Sequence, residues 1–251
     1  MKNFRIIPRL EIKSGNLIKG MRMEGLRRIG DPIEYAFKYY KQGADEIILD
    51  DIVASLYSRP FDFSLLKKIV KNIKIPIAVS GGIKNIEDIH SALDSGADKV
   101  CINTAGILNP KLIYEASRIF GSQCIVACIQ GKQVFEQYWE PFTESGRNRN
   151  FIDMFNWIDQ VQELGAGEIF FISIDHDGVK DNINKTIISK VKKSCSVPIL
   201  IGGGIYKSSD IDFLIEENID GCVISKSFHD NENDIFSLKK SINSSKAIIR
   251  K

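Results

Sequence analysis

Short runs of β-branched and other apolar residues alternate along this chain with segments whose apolar positions recur at helical spacing. The strand-like runs are FRIIPRLEI, EIILDD, PIAVSGG, DKVCINT, QCIVACIQG, EIFFISIDHDG, PILIGGG and GCVISKS. Between them lie DPIEYAFKYYKQG, FSLLKKIVKNI, NIEDIHSALDSG, PKLIYEASRIFG, FIDMFNWIDQVQELG, a helix around Lys185 to Lys193, SDIDFLIEEN and a closing helix from about Asp234. The first helix carries its own punctuation. Asp31 can cap it, Pro32 takes the first helical position and Gly43 can end it. Eight near-continuously apolar strands, each followed by a helical segment, predict a closed parallel (βα)8 barrel spanning 1–251 as one domain. No GxGxxG follows the first strand, so a dinucleotide-binding unit is unsupported.

An internal repeat sharpens this reading. QGADEI at 42–47 recurs as LGAGEI at 164–169, and PIAVSGGI at 76–83 recurs as PILIGGGI at 198–205, both at a spacing of 122 residues. Equal spacings imply a duplicated half-barrel.

In such a barrel the C-terminal ends of the strands face the active site. The polar residues there are Glu11, Asp50 or Asp51, Ser80, Asn103 with Thr104, Gln130, Asp175 with Asp177, and Lys226. The Gly-Gly turns at 80–83 and 202–205 lie there too. A glycine turn running into a helix exposes backbone N–H groups and leaves room for a phosphate, although a tight βα loop also needs glycine for its own sake. The duplicated pair suggests two anion sites and a substrate with two phosphates. Lys226 can reach a phosphate, and Lys19 in GNLIKG can fold over the mouth, unless that loop is merely flexible. His176, between two acids, is a candidate for titration near neutrality or a plain exposed histidine. The polar insert 131–150 is open between a lid and a partner surface; Tyr138, Trp139 and Phe142 suit either, or packing over the barrel top. At the opposite rim Arg5, Glu46, Lys99 and Glu168 start strands one, two, four and five. Four charges pointing inward there are costly unless paired in a ring or wetted by a passage, and ordinary rim salt bridges are the plainer reading of the periodicity alone.

Composition narrows the partners. Hydrophobic residues make up 43% and charged residues 26%, and the net charge of +2 gives no footprint for nucleic acid or an anionic membrane. The start lacks a signal-peptide pattern, and the apolar runs are too short for a membrane span. Five scattered cysteines without a CxxC pair, four of them within or beside apolar strand-like runs, read as buried free thiols in a reducing cytoplasm. No zinc spacing occurs among the three histidines, and no metal or organic cofactor is expected.

The stretches RIIPRLEIKSGNLIKG, GDPIEYAFKYYKQGADEIILDDI, AVSGGIKNIEDI, GADKVCINTA, FGSQCIVACI, GAGEIFFISIDHDG and PILIGGGI together resemble the HisF family, the cyclase subunit of imidazole glycerol phosphate synthase. The resemblance covers essentially the whole chain. It implies a half-barrel duplication, a bisphosphorylated ribonucleotide substrate, and ammonia supplied by a HisH-like glutaminase on the N-terminal rim. By motif match, one phosphate site involves Gly82, Asn103 and Thr104. The other involves Asp177, Gly178, Gly203, Gly204, Ser225 and Lys226. Lys19 matches a mobile-loop lysine, and Asp51 and Asp177 match acids near the reacting centre. Arg5, Glu46, Lys99 and Glu168 match the charged gate at the ammonia entrance, and Asp98 matches an acid at the glutaminase interface.

The departures fall at the chemistry. The family's two catalytic aspartates correspond to Glu11 and Gln130. A glutamate displaces its carboxylate by roughly one methylene, and misplacement of about 1 Å can cost ~10²-fold in rate. An amide cannot exchange protons, a loss typically of ~10²–10⁴-fold. The motif around position 130 reads ACIQGKQ; Arg9 replaces a usual cysteine, Lys226 a serine, Ser80 and Gly202 alter the phosphate turns, and Asp50 adds an acid beside Asp51. That division resembles a side branch of the family associated with surface-polysaccharide genes. The leading expectation is therefore a barrel that channels ammonia toward a sugar amidotransferase. The alternatives are a genuine cyclase using Glu11 with Asp51 or Asp177, and a non-conducting scaffold that activates a glutaminase.

Overall fold

The computed structural model of the chain describes residues 2–180 and 183–250. In chain order the strands are β1 (Lys2–Lys13), β2 (Asn16–Met21), β3 (Glu24–Gly30), β4 (Ile47–Asp51), β5 (Ile77–Ser80), β6 (Lys99–Ile102), β7 (Ile125–Phe135), β8 (Tyr138–Thr143), β9 (Asn148–Arg149), β10 (Glu168–Ser173), β11 (Ile199–Gly202), β12 (Gly221–Ile224) and β13 (Ala247–Ile249). The helices are α1 (Pro32–Lys41), α2 (Phe63–Val70), α3 (Ile86–Asp94), α4 (Thr104–Leu108), α5 (Lys111–Phe120), α6 (Met154–Glu163), α7 (Lys185–Ser194), α8 (Ser208–Glu216), α9 (Lys226–His229) and α10 (Ile235–Lys240).

Strands β1, β4, β5, β6, β7, β10, β11 and β12 pair in parallel, in that order, and the β12–β1 pairing closes the ring. This is the predicted (βα)8 barrel. The helices start where the sequence places caps. Asp31 accepts from the N–H groups of Ile33 and Glu34, Asp62 from Ser64 and Leu65, and Asp153 from Phe155 and Asn156. Each cap is worth about 1 kcal/mol.

Strand alternation then decides which side chains meet. Ile6, Leu10 and Ile12 of β1 pack outward against the helices, together with Ile47 and Leu49 of β4 and Ile169 and Phe171 of β10. The opposite parity faces the barrel axis, where Ile7, Ile48, Cys101, Val126, Phe170 and Leu200 form the interior layer. On β1 the same inward parity carries Arg5, Arg9 and Glu11. The site is thus placed by a period of two.

Two predicted loops are strands. GNLIKG belongs to an antiparallel hairpin, β2–β3, which continues from β1. The 131–150 insert is a β-meander: β7 runs on past Gln130 and pairs with β8, which pairs with β9. The described cysteines are free; Cys101, Cys128, Cys195 and Cys222 are buried and Cys124 is half-buried. Among the described residues no helix is long and apolar enough to cross a membrane.

Candidate active site

At the N-terminal rim the four charges form a closed alternating ring. Arg5 Nη1 donates to Glu46 at 2.8 Å and its Nη2 to Glu168, while Lys99 Nζ lies 3.0 Å from Glu46 and 2.8 Å from Glu168. Glu46 and Glu168 are related by the half-barrel repeat. So are Lys99 and Gly221, and a Cβ at Gly221 would come within 3.0 Å of the Arg5 Cβ. Glycine at 221 leaves the space that Arg5 fills. Burial acts to lower the Lys99 pKa, but Glu46 and Glu168 outweigh it and hold the ammonium form. Asp98, expected at a partner interface, accepts at 2.8 Å from the N–H of Ile77 and so also fastens the start of β5; its repeat counterpart Asp220 does the same for Ile199.

At the other end a buried ion cluster occupies the mouth. Arg9, 2% exposed, places Nε 2.9 Å and Nη2 2.7 Å from Asp50 Oδ2, Nη1 3.0 Å from Glu11 Oε1, and Nη1 3.7 Å from Asp177 Oδ1. Lys19 bridges two acids, 2.6 Å from Glu11 Oε1 and 2.7 Å from Asp177 Oδ2. The sequence left Asp50 and Asp51 open; parity turns Asp50 into the cluster. Asp51 is instead held bidentately by Arg59, at 2.7 and 2.9 Å, a partner that no sequence motif announced.

The carboxyls are driven apart electrostatically. Burial raises the Glu11 pKa more than Lys19 and Arg9 lower it. Burial also acts to raise Asp177, yet Lys19, Arg9 and hydrogen bonds prevail and its pKa falls below the ordinary value. Burial likewise raises Asp51 despite Arg59. The two carboxyls that share Lys19 are thus shifted in opposite directions, Glu11 up by burial and Asp177 down by its charged neighbours.

Lys19 reaches the cluster because the β2–β3 hairpin lies down over the mouth. Arg22 N–H donates to the Asp177 carbonyl at 2.6 Å and Arg22 Nε to the Asp175 carbonyl at 3.2 Å. A Cβ at Gly178 would lie 2.4 Å from the Gly20 carbonyl, so Gly178 admits the hairpin as well as lining the site. His176 pairs with Ser173 at 2.8 Å, outside the cluster.

Two small cavities flank the cluster, about 30 Å³ beside Gly81–Gly82 and about 20 Å³ beside Gly203–Gly204. We refer to them as the N-half and C-half cavities. Their glycines are required by close approach: a Cβ at Gly81 would sit 2.1 Å from the Asp51 carbonyl, and at Gly203 2.6 Å from the Ser173 carbonyl, both at positive φ. Gly82, Asn103 and Thr104 line the first; Gly178, Gly203, Gly204, Ser225 and Lys226 line the second. One expectation is corrected. The glycine turns do not run straight into helices, because α3 and α8 begin several residues later, α3 behind the Asn85 cap and α8 where Asp210 accepts from the N–H groups of Tyr206 and Lys207. The helices that start beside the cavities are the short α4 and α9.

Gln130 lines the N-half cavity, and its Oε1 is buried without a hydrogen-bond partner. The meander roofs that cavity: Asn103 Nδ2 donates to the Phe142 carbonyl, Glu144 N–H to Thr104 Oγ1, and Ser145 Oγ to the Ile52 carbonyl. Phe142 is buried over the barrel top with Met23 and Ile174, whereas Trp139 is buried in the outward layer against Phe171. Sequence reasoning missed His229 altogether. Buried, it accepts from Tyr39 O–H at 2.6 Å through Nδ1 and donates from Nε2 to the Arg9 carbonyl at 3.1 Å. A carbonyl can only accept, which fixes this tautomer in the neutral ring. Among the described residues no group of three or more His, Cys, Asp or Glu could hold a metal ion.

Fold and site define a half-barrel-duplicated (βα)8 protein with a charged ring at one end and a paired polar site at the other. Residues 5–234 match the family model described as histidine biosynthesis protein, and the chain belongs to that family. It is 43% identical over 212 residues to imidazole glycerol phosphate synthase subunit HisF of Legionella pneumophila, covering 84% of this chain and 100% of the relative. It is 41% identical to the same subunit of Helicobacter hepaticus, over 94% of this chain and 93% of the relative. With that of Bacillus cereus (strain Q1) it shares 38% identity over 98% of both chains. These relatives support the histidine-biosynthesis reading over the surface-polysaccharide branch, which none of them bears on.

Proposed function

We propose that this chain is the barrel subunit of a synthase of the imidazole glycerol phosphate type, using ammonia from a HisH-like glutaminase docked on its N-terminal rim. Ammonia enters through the Arg5–Glu46–Lys99–Glu168 ring and rises along the apolar interior to the mouth. There it meets a phosphorylated ribonucleotide held by the two cavities. The observation that carries the reading is the Glu11–Lys19–Asp177 bridge between those cavities. It supplies an acid and a base although the strand-five position holds Gln130. Asp177 takes the proton shed as nitrogen bonds to the substrate, and Glu11 gives one to the departing group. Lys19 must leave for a ligand to span both cavities, so the hairpin acts as the lid.

The test is turnover of the bisphosphorylated substrate with an ammonium salt, which bypasses the glutaminase. Glu11→Gln and Asp177→Asn should each lower it by ~10²–10⁴-fold. Unchanged turnover in both would overturn the assignment.

A second reading, ammonia hand-off to a sugar amidotransferase, has one observation in its favour. Glu11 is tied to Arg9 as well as Lys19, and Gln130 has no proton to give. Under that reading the mouth is a docking surface and cyclase turnover is absent.

A further inference from the structure

The strand registers, followed round the ring with the stagger that closes an eight-stranded barrel, sort the inward side chains into levels. The lowest holds Glu46, Lys99, Glu168 and Gly221, the rim ring that Arg5 completes. Two apolar levels follow: Ile7, Ala78, Val126 and Leu200, then Ile48, Cys101, Phe170 and Val223. Above them stand Arg9, Ser80, Cys128 and Gly202. Three of these four are small, so the guanidinium supplies most of the bulk at the top of the apolar interior.

Arg9 also reaches toward the far wall. Burial pushes the Cys128 thiol up to about 12, with Asp50 adding to the rise and Arg9 opposing it. Cys128 lies on β7, directly opposite β1 in the ring. The Arg9–Asp50 pair stands between the two cavities, Arg9 lining the C-half and Asp50 the N-half.

This guanidinium has two anionic docks. Its Nε and Nη2 hold Asp50 at 2.9 and 2.7 Å, while Nη1 lies 3.0 Å from Glu11 and 3.7 Å from Asp177. Lys19 competes for the second dock, at 2.6 Å from Glu11 and 2.7 Å from Asp177. When the β2–β3 hairpin lifts, those buried carboxyls keep Arg9 as their only cation in the cluster. An unpaired buried carboxylate is costly, so the guanidinium is drawn toward them. Asp50 is then left to water in the N-half cavity, beside which Ile18 of the hairpin had packed on Ile52 and Val53.

We propose that Arg9 is a second gate, at the mouth end of the barrel interior, and that the hairpin controls it. With Lys19 seated, Arg9 is held on Asp50 and closes the axis; with Lys19 withdrawn, it turns to Glu11 and Asp177 and clears the axis. The use of the gate rests on the ammonia-conducting reading above: release into the mouth is tied to the ligand that lifts the hairpin.

The cysteines supply the experiment. Cys128 stands at the level of Arg9, whereas Cys195 and Cys222 are buried in the outward layer and report general loosening of the fold. The full chain is treated with methyl methanethiosulfonate, a small neutral thiol reagent, and each cysteine is followed by mass spectrometry. In the wild type Cys128 should react as slowly as Cys195 and Cys222. Lys19→Met should speed Cys128 by ~10-fold or more relative to both. Arg9→Ala with Asp50→Asn removes the gate without stranding a charge, together with its two opposing effects on the thiol. It should speed Cys128 equally, and it tests the gate even if Lys19→Met does not fold. Wild-type Cys128 reacting as fast as half-buried Cys124 would overturn the proposal. So would a Cys128 rate that, in folded variants, is unmoved or rises only in step with Cys195 and Cys222. No turnover enters the readout, so a chain without cyclase activity can obey the proposal, and its failure leaves the cyclase assay to be judged separately.

Discussion

Lys19 Nζ lies 2.7 Å from Asp177 Oδ2, although 158 residues separate them in the chain. That contact fastens the β2–β3 hairpin to the loop after β10 and holds two carboxyls around one ammonium. Lys19→Met removes the cation and leaves buried acids facing each other, at a cost of ~3–5 kcal/mol. Residues 16–30 should then show faster amide exchange and earlier proteolytic cleavage than the barrel strands. Equal protection of the hairpin in the variant would show that backbone pairing alone holds it down.

The Arg9–Asp50 pair predicts a non-additive cycle. Arg9→Met alone or Asp50→Leu alone strands a buried charge and should cost ~3–5 kcal/mol in urea unfolding. The double variant should recover to near wild-type stability or exceed it. Additive losses would mean that each side chain is held by its other neighbours.

His229 predicts the pH dependence of stability. Burial lowers its pKa to about 3, with Lys19 adding to the effect. The unfolded histidine takes up a proton below about pH 6.5, and the folded one does so only near 3. Between those values the unfolded state binds more protons, so stability falls as pH falls, by ~1.4 kcal/mol per pH unit once well below 6.5. His229→Gln should flatten that slope in urea midpoints measured from pH 7 to 5. An unchanged slope would place the proton uptake elsewhere.

Much of this was legible in the sequence because barrel strands obey two simple periods. The 122-residue repeat marks both glycine turns, and strand parity points Arg5, Glu46, Lys99 and Glu168 inward. The hairpins were not legible, and the reason is local. Arg22 and Met23 both adopt positive φ at the β2–β3 turn, where the usual signal is Asn-Gly or Asp-Gly. Burial of Met23 in the barrel-mouth cluster with Ile174 and Phe142 offsets that strain, a tertiary effect absent from the local sequence. Arg59 and His229 were missed for a related cause. Each sits on a loop or short helix and meets its partner, Asp51 or the Arg9 carbonyl, only once the chain has folded, and no periodicity points there.

The lower ring bears on conduction. With a HisH-like glutaminase present, Glu46→Gln should lower the ratio of glutamine-driven to ammonium-driven turnover by ~10-fold or more, about 1.4 kcal/mol. A scaffold that only activates the glutaminase would keep that ratio while losing or keeping both activities together. Glutamine hydrolysis, followed separately, reports whether the complex still forms.

The central claim is that Glu11, Lys19 and Asp177 sustain cyclase chemistry without a carboxylate at position 130. The most direct measurement is turnover of the bisphosphorylated ribonucleotide by the purified chain with excess ammonium salt. We expect a rate of about 1 s⁻¹, the low end of ordinary enzymes. Turnover that is absent, or lower by ~10³-fold or more in folded protein, would contradict it and leave ammonia hand-off as the reading to pursue.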